Sequence, residues 1–229
     1  MIRKIIGKIV ETILPPRNAE EAGKPVEGNS KIKTVSLEEL LGGAGPQPEP
    51  ELRVIGLYST VEDEKIAELT QALLYLNEMN KMRDKEKEES KPVDFYINTY
   101  GGSADDMFAM YDVMQQVMED TEIHTIGVGK VMSAGTLLLA AGTKGKRKIG
   151  KNCRVMIHNV AAGNFGTLPN LANELEAIQQ LQDDYITAMV ENTKFTRKKL
   201  EKLLNEKVNI YLSAEEAVKY GLADEIMWG

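Results

Sequence analysis

At 229 residues the chain has material for one sizeable core but not for two comfortable domains, and its 42% hydrophobic and 28% charged residues are those of an ordinary globular protein. A net charge of −7 leaves no basic field to draw nucleic acid. One cysteine, Cys153, cannot close an internal disulfide, which fits a reducing, cytoplasmic setting, and with only His124 and His158 beside it a Cys/His zinc centre is excluded, so no metal is expected.

In chain order, Ile2, Ile5, Ile6, Ile9, Val10 and Ile13 come first, at helical spacing, with Arg3, Lys4, Lys8 and Glu11 elsewhere on the wheel. Those charges exclude a secretory h-region, and no apolar run in the chain approaches the ~20 residues of a membrane span. Packing on the protein itself or on a neighbouring subunit is the simpler reading of this helix, with an interfacial membrane helix as the other. Residues 15–50, punctuated by Pro15-Pro16, Gly28-Asn29 and the run from Gly42 to Pro50, read as a linker with one short helical turn at 35–41. Residues 1–50 thus form an N-terminal segment and linker, processed or flexible, and residues 51–229 the folded domain.

Strands and helices then alternate. A strand is expected at 53–58, a helix at 62–82, a charged helix end and loop at 81–90, a strand at 93–98 and a helix at 103–117 whose stripe Met107, Met110, Met114 and Val117 is core filler. A strand at 122–128, a small-residue helix at 134–141, a basic turn at 144–148 and a strand at 154–158 follow. The last third holds a long amphipathic helix at 171–190, whose apolar stripe Leu171, Leu175, Ile178, Tyr185 and Met189 is more surface than one helix can hide alone and is expected to meet a neighbouring subunit, then a short helix at 196–204, a strand at 208–212 and a helix at 214–220. Strands joined by helical crossovers imply an α/β fold with mostly parallel pairing.

Several residues could carry chemistry. Ser133, in Gly129-Lys130-Val131-Met132-Ser133-Ala134-Gly135, stands where a strand ends and a helix begins, beside free backbone N–H groups that suit an oxyanion. The blander reading is an N-cap serine satisfying its own helix. His158 ends a strand on whose one face lie Arg154 and Met156, and it is either a base or a hydrogen-bonded core residue. Cys153, five residues earlier, has the opposite parity and reads as a small buried side chain; His124 reads as an exposed strand position. Gly101-Gly102 after a strand lets backbone approach a ligand, but neither it nor Gly127-Val128-Gly129 forms a nucleotide fingerprint.

Taken together, Asn98-Thr99-Tyr100-Gly101-Gly102, Gly129-x-x-x-Ser133-Ala134-Gly135, Leu137 to Arg147, Asn152 to His158 and the ending Tyr211-Leu212-Ser213-Ala214-Glu215-Glu216-Ala217 through Ile226 resemble the ClpP family, in the same order from about residue 52 to 226. The resemblance is absent before residue 50, so the N-terminal segment is divergent. It implies a crotonase-like ββα superhelix with a protruding helical handle at about 160–195, and rings of seven subunits stacked in pairs into a tetradecamer around a closed chamber. It makes Ser133 the nucleophile and His158 the base of a serine endopeptidase, with Gly102 and Ala134 as the oxyanion hole and no cofactor. Asn164 to Thr167 would pair with substrate backbone ahead of the handle helix.

The family's third member is an Asp four residues before the Ser-Ala pair of its C-terminal motif, a position held here by Asn209, with Glu206 a poorer substitute. The resemblance further implies polypeptide substrates delivered by a hexameric AAA+ unfoldase of the ClpX, ClpA or ClpC type. Tyr96, Ile126 and Val128 match its docking pocket, whereas Asp94 and Gln116 stand where aromatic residues are usual. Homo-oligomeric rings and rings mixed with paralogous subunits both remain open. So do two other functions: a weakly active or inactive structural ring subunit, and a crotonase-type acyl-CoA enzyme.

Overall fold

Val93, Phe95 and Ile97 alternate with Asp94, Tyr96 and Asn98, a period of two that gives a strand one apolar and one polar face. In the computed structural model this segment is the second strand of a seven-stranded sheet. The structure describes residues 51–206 and 208–228, so the helix at 2–13, the linker at 15–50 and its turn at 35–41 lie outside the described residues.

The elements run β1 (Val54–Leu57), α1 (Asp63–Lys85), β2 (Val93–Thr99), α2 (Ala104–Val117), β3 (Ile123–Met132), α3 (Ala134–Ala140), β4 (Lys148–Gly150), β5 (Arg154–Ile157), α4 (Leu168–Asn192), α5 (Arg197–Glu206), β6 (Ile210–Leu212), α6 (Ala214–Lys219) and β7 (Glu225–Met227). Strands β1, β2, β3, β4 and β7 lie side by side in that order, all parallel. β5 joins the far end of β3 in parallel, and β6 pairs antiparallel with β5. The fold is therefore mixed α/β with a mostly parallel sheet, as expected.

Apolar periodicity explains how the helices pack. α1 buries Ile66, Leu69, Leu73 and Leu76, and α2 buries the methionine stripe Met107, Met110 and Met114 with Val117. Ser103 starts α2 by accepting the Asp106 N–H, and Ser213 with Glu216 closes a capping box on α6. Every residue of α3 is buried, which its apolar composition on all sides requires. α4 is divided: Tyr185, Ile186, Ala188 and Met189 enter the core, while its residues 168–177 are all exposed. The stripe Leu171, Leu175, Ile178, Tyr185 and Met189 is thus not one surface, because Leu171 and Leu175 are exposed and Tyr185 and Met189 are core.

β3 runs on to Met132 rather than ending at 128. Gly129, at φ +66, bends it, and the strand changes partner there: Ile126 and Gly127 pair with β4, Lys130 to Met132 with β5. β4 and β7 escape sequence reading because three residues are too few to display a period. They are locked together by Arg147, a buried residue that donates from Nε and Nη2 to the Asp224 carboxylate and from Nη1 to the carbonyls of Ala140 and Asn192. Partial burial alone would raise the Asp224 carboxyl, but the Arg147 hydrogen bonds overcome it and hold the pKa at about 2. Among the described residues no helix is long and apolar enough to cross a membrane.

Candidate active site

Ser133 is the single residue between β3 and α3, and the abrupt turn from strand to helix forces its backbone to φ 52, ψ −124. That conformation is sparsely populated for any residue but glycine and persists only where the surroundings enforce it. Here the Ser133 N–H donates to Met156 O at 2.8 Å, anchoring the turn to β5. The serine side chain does not cap its own helix, so the N-cap reading falls away.

Pairing of Met132 with Met156 sets the end of β5 beside Ser133, and His158 follows one residue after that strand. The imidazole Nε2 lies 2.8 Å from Ser133 Oγ. With the ring proton on Nδ1, Nε2 accepts from the hydroxyl, the arrangement in which a histidine takes a serine proton.

The glycine pair closes the opposite side. Thr99 Oγ1 accepts the Gly101 N–H at 3.0 Å and donates to Ser59 O at 2.6 Å, while Val61 N–H donates to Gly101 O and Ser103 N–H to Val61 O. These bonds press the turn so close that a Cβ on Gly102 would strike the Val61 carbonyl, and one on Gly101 would lie 2.5 Å from Ser133 Cβ. Gly102, Ser133, Ala134 and His158 all line one cavity of about 650 Å³, over whose rim run the segment 159–164 and α4. Neither the Gly102 nor the Ala134 N–H meets an acceptor among the described residues. Two free donors beside a hydroxyl and a base suit an acyl-transfer oxyanion.

The third position is placed but not engaged. β5 and β6 pair Val155 with Leu212, Met156 with Tyr211 and Ile157 with Ile210, so one further step along that register sets position 209 against position 158. Asn209 is exposed and makes no hydrogen bond to His158 among the described residues, and His158 Nδ1 has no partner there either. Glu206 is exposed and ion-paired with Lys202 at 3.7 Å. Asn164 to Thr167 are exposed and lead directly into α4.

Two other residues lie apart from this group. Cys153 is buried, and burial pushes its thiol up to about 11 against a smaller lowering by Arg154, so it is no nucleophile. His124, expected to be exposed, is half-buried on β3, with Nε2 2.9 Å from Glu122 Oε2 and Nδ1 3.4 Å from Asp94 Oδ1. The β2–β3 register sets Asp94 beside His124 and Tyr96 beside Ile126 on one sheet face.

Sequence reasoning missed Thr136 and assigned Tyr185 to a surface stripe. Both are buried, Tyr185 in the wall of the cavity that Ser133 lines, and their hydroxyls meet at 2.9 Å. A signal was present: Thr136 is the one hydroxyl in the apolar helix α3, and a buried hydroxyl needs a partner.

A family described as Clp protease matches residues 50–229 of the chain. The ATP-dependent Clp protease proteolytic subunit of Deinococcus radiodurans is 33% identical over 175 residues, an alignment covering 76% of this chain and 80% of that protein.

Proposed function

The chain belongs to the Clp protease family, and from that premise we propose that it is an active serine endopeptidase, with Ser133 as nucleophile, His158 as general base and the Gly102 and Ala134 N–H groups as oxyanion hole. The observation that carries this reading is the 2.8 Å approach of His158 Nε2 to Ser133 Oγ, made at a serine in a strained turn. Ser133 Oγ attacks the peptide carbonyl carbon as its proton passes to His158, and the oxygen of the tetrahedral adduct takes its charge to the two N–H groups. Collapse breaks the C–N bond, and His158 returns the proton to the departing amine. Water, deprotonated in turn by His158, then releases the acyl group and restores Ser133. General-base assistance of this kind contributes roughly 10²–10⁴-fold, and each oxyanion donor about 3 kcal/mol.

The substrate is an unfolded polypeptide in extended form, laid along the exposed segment before α4. The subunit works in stacked rings, homo-oligomeric or mixed with paralogous subunits, fed by a hexameric AAA+ unfoldase of the ClpX, ClpA or ClpC type. Exposed Leu168, Leu171 and Leu175, at i, i+3 and i+7 along one side of the first half of α4, support assembly, since grouped apolar surface favours burial against a partner.

A second reading, a structural ring subunit with little activity, is favoured by the unpartnered Nδ1 of His158 and the exposed Asn209. A short fluorogenic peptide, which needs no unfoldase, separates the two. Cleavage by the parent that disappears in Ser133→Ala, with assembly unchanged, supports the enzyme. A parent that assembles and cleaves nothing supports the structural subunit.

A further inference from the structure

The peptide unit between Ser133 and Ala134 carries the Ser133 carbonyl on one edge and the Ala134 N–H on the other. It is planar and trans, with no cis peptide among the described residues, so C=O and N–H point in opposite directions and whatever fixes one fixes the other. The Ser133 carbonyl accepts two hydrogen bonds, both from Thr136: one from its backbone N–H at 2.9 Å and one from its Oγ1 at 2.6 Å. A threonine hydroxyl has one proton and a carbonyl can only accept, so that proton is committed to Ser133 O. Thr136 Oγ1 must then accept in its 2.9 Å contact with the Tyr185 hydroxyl, which makes Tyr185 the donor. Thr136 is 0% and Tyr185 4% exposed, so water does not compete for these bonds. Burial also pushes the Tyr185 phenol up to about 12, against a smaller lowering by the Thr136 bond, which keeps its proton in place at neutral pH.

We propose that Thr136 and Tyr185 are positioning residues: the relay from Tyr185 O–H to Thr136 Oγ1, and from Thr136 O–H to Ser133 O, aims the Ala134 N–H at the reacting carbonyl oxygen. The Ser133 backbone needs such a restraint, because at φ 52, ψ −124 it sits in a sparsely populated region and a rotation of this peptide unit would relieve it. The rotation would turn the Ala134 N–H out of the cavity while leaving Ser133 Oγ on its carbon and the substrate-binding walls intact. The relay therefore acts on the transition state and not on substrate binding.

This inference rests on the serine-peptidase reading. Its test uses the full chain and the variants Tyr185→Phe, Thr136→Val and Thr136→Ser, with kcat and KM on a fluorogenic peptide and the inhibition constant of a peptide aldehyde. The aldehyde forms a hemiacetal on Ser133 and places an oxyanion where the substrate does. Complete loss of an oxyanion donor costs on the order of 10²–10³ in kcat, and a mis-aimed donor costs part of that: about tenfold or more for Thr136→Val and about threefold for Tyr185→Phe. KM should stay within about twofold, aldehyde affinity should fall with kcat, and Thr136→Ser should restore both. Melting curves identify any variant that fails to fold; Tyr185→Phe removes one oxygen and no packing volume, so it carries the test if Thr136→Val is lost. A rise in KM at unchanged kcat, unchanged aldehyde affinity, or Thr136→Ser as poor as Thr136→Val overturns the inference alone. A parent that neither cleaves the peptide nor binds the aldehyde overturns the serine-peptidase reading, and the inference with it.

Discussion

Replacing Gly101 with alanine adds one methyl group where the structure has no room for it. The new Cβ would stand 2.5 Å from Ser133 Cβ, 2.9 Å from Met132 O and 3.0 Å from Ser133 Oγ, against the 3.5–4.0 Å or so of an ordinary carbon contact. Something must move by about 1 Å. The Gly101 loop cannot simply retreat, because its N–H is held by Thr99 Oγ1 at 3.0 Å and its carbonyl by the Val61 N–H at 2.9 Å. Overpacking of this kind costs about 1–3 kcal/mol, and a Cβ at φ +101 adds about 1–3 kcal/mol of backbone strain. Displacing the reacting hydroxyl by about 1 Å costs on the order of 10² in rate. Gly145→Ala is the matched control: its φ is +83, but nothing lies within 4 Å of the added Cβ, so it has the strain without the collision. Thermal midpoints and kcat/KM on a fluorogenic peptide should show both variants destabilised and only Gly101→Ala strongly impaired in turnover. Equal activity of the two would refute the claim that Gly101 fits the nucleophile turn sterically.

Two further outcomes follow from individual side chains. Asn209→Asp should raise kcat about tenfold with assembly unchanged, since a carboxylate opposite His158 stabilises the imidazolium that an amide cannot; if Asn209→Asp and Asn209→Ala both match the parent, the residue takes no part. Asp224→Asn should lower stability by about 2 kcal/mol near neutral pH, the scale of lost charge-assisted hydrogen bonds. Because the Asp224 pKa is depressed from 3.8 to about 2 in the folded state, its contribution is present above about pH 4 and lost as pH falls through 4 toward 2. The melting-point gap between parent and variant should narrow over that window, and a gap independent of pH would contradict the assignment.

What the sequence disclosed, and what it hid, follows from the range of each signal. Period-two alternation around Val93 and helical spacing around Met107 are local, and both elements are found where those patterns place them. Ser133 and His158 stand at the ends of neighbouring strands; strand ends and parity marked each as a candidate with a blander alternative, and only the resemblance of the motifs around them paired the two. The Asn209 assignment came from the resemblance, by its place before the Ser213-Ala214 pair, and the β5–β6 register independently brings position 209 opposite 158, though not into hydrogen bonding. The Thr136–Tyr185 contact joins residues 49 apart on different helices, and nothing in either segment announces the other. The partner change of β3 at Gly129 was equally hidden, because a glycine within a strand reads as a break whether the strand stops or bends.

The most direct test of the central claim is to treat the purified chain with a fluorophosphonate and locate the adduct by peptide mass spectrometry. Attack of Ser133 Oγ on phosphorus displaces fluoride, so the account predicts one stable adduct on Ser133. It should be absent from Ser133→Ala and greatly slowed in His158→Ala, where no base stands 2.8 Å from the hydroxyl. A parent that takes no label, or takes it on another residue while Ser133 stays free, would contradict it.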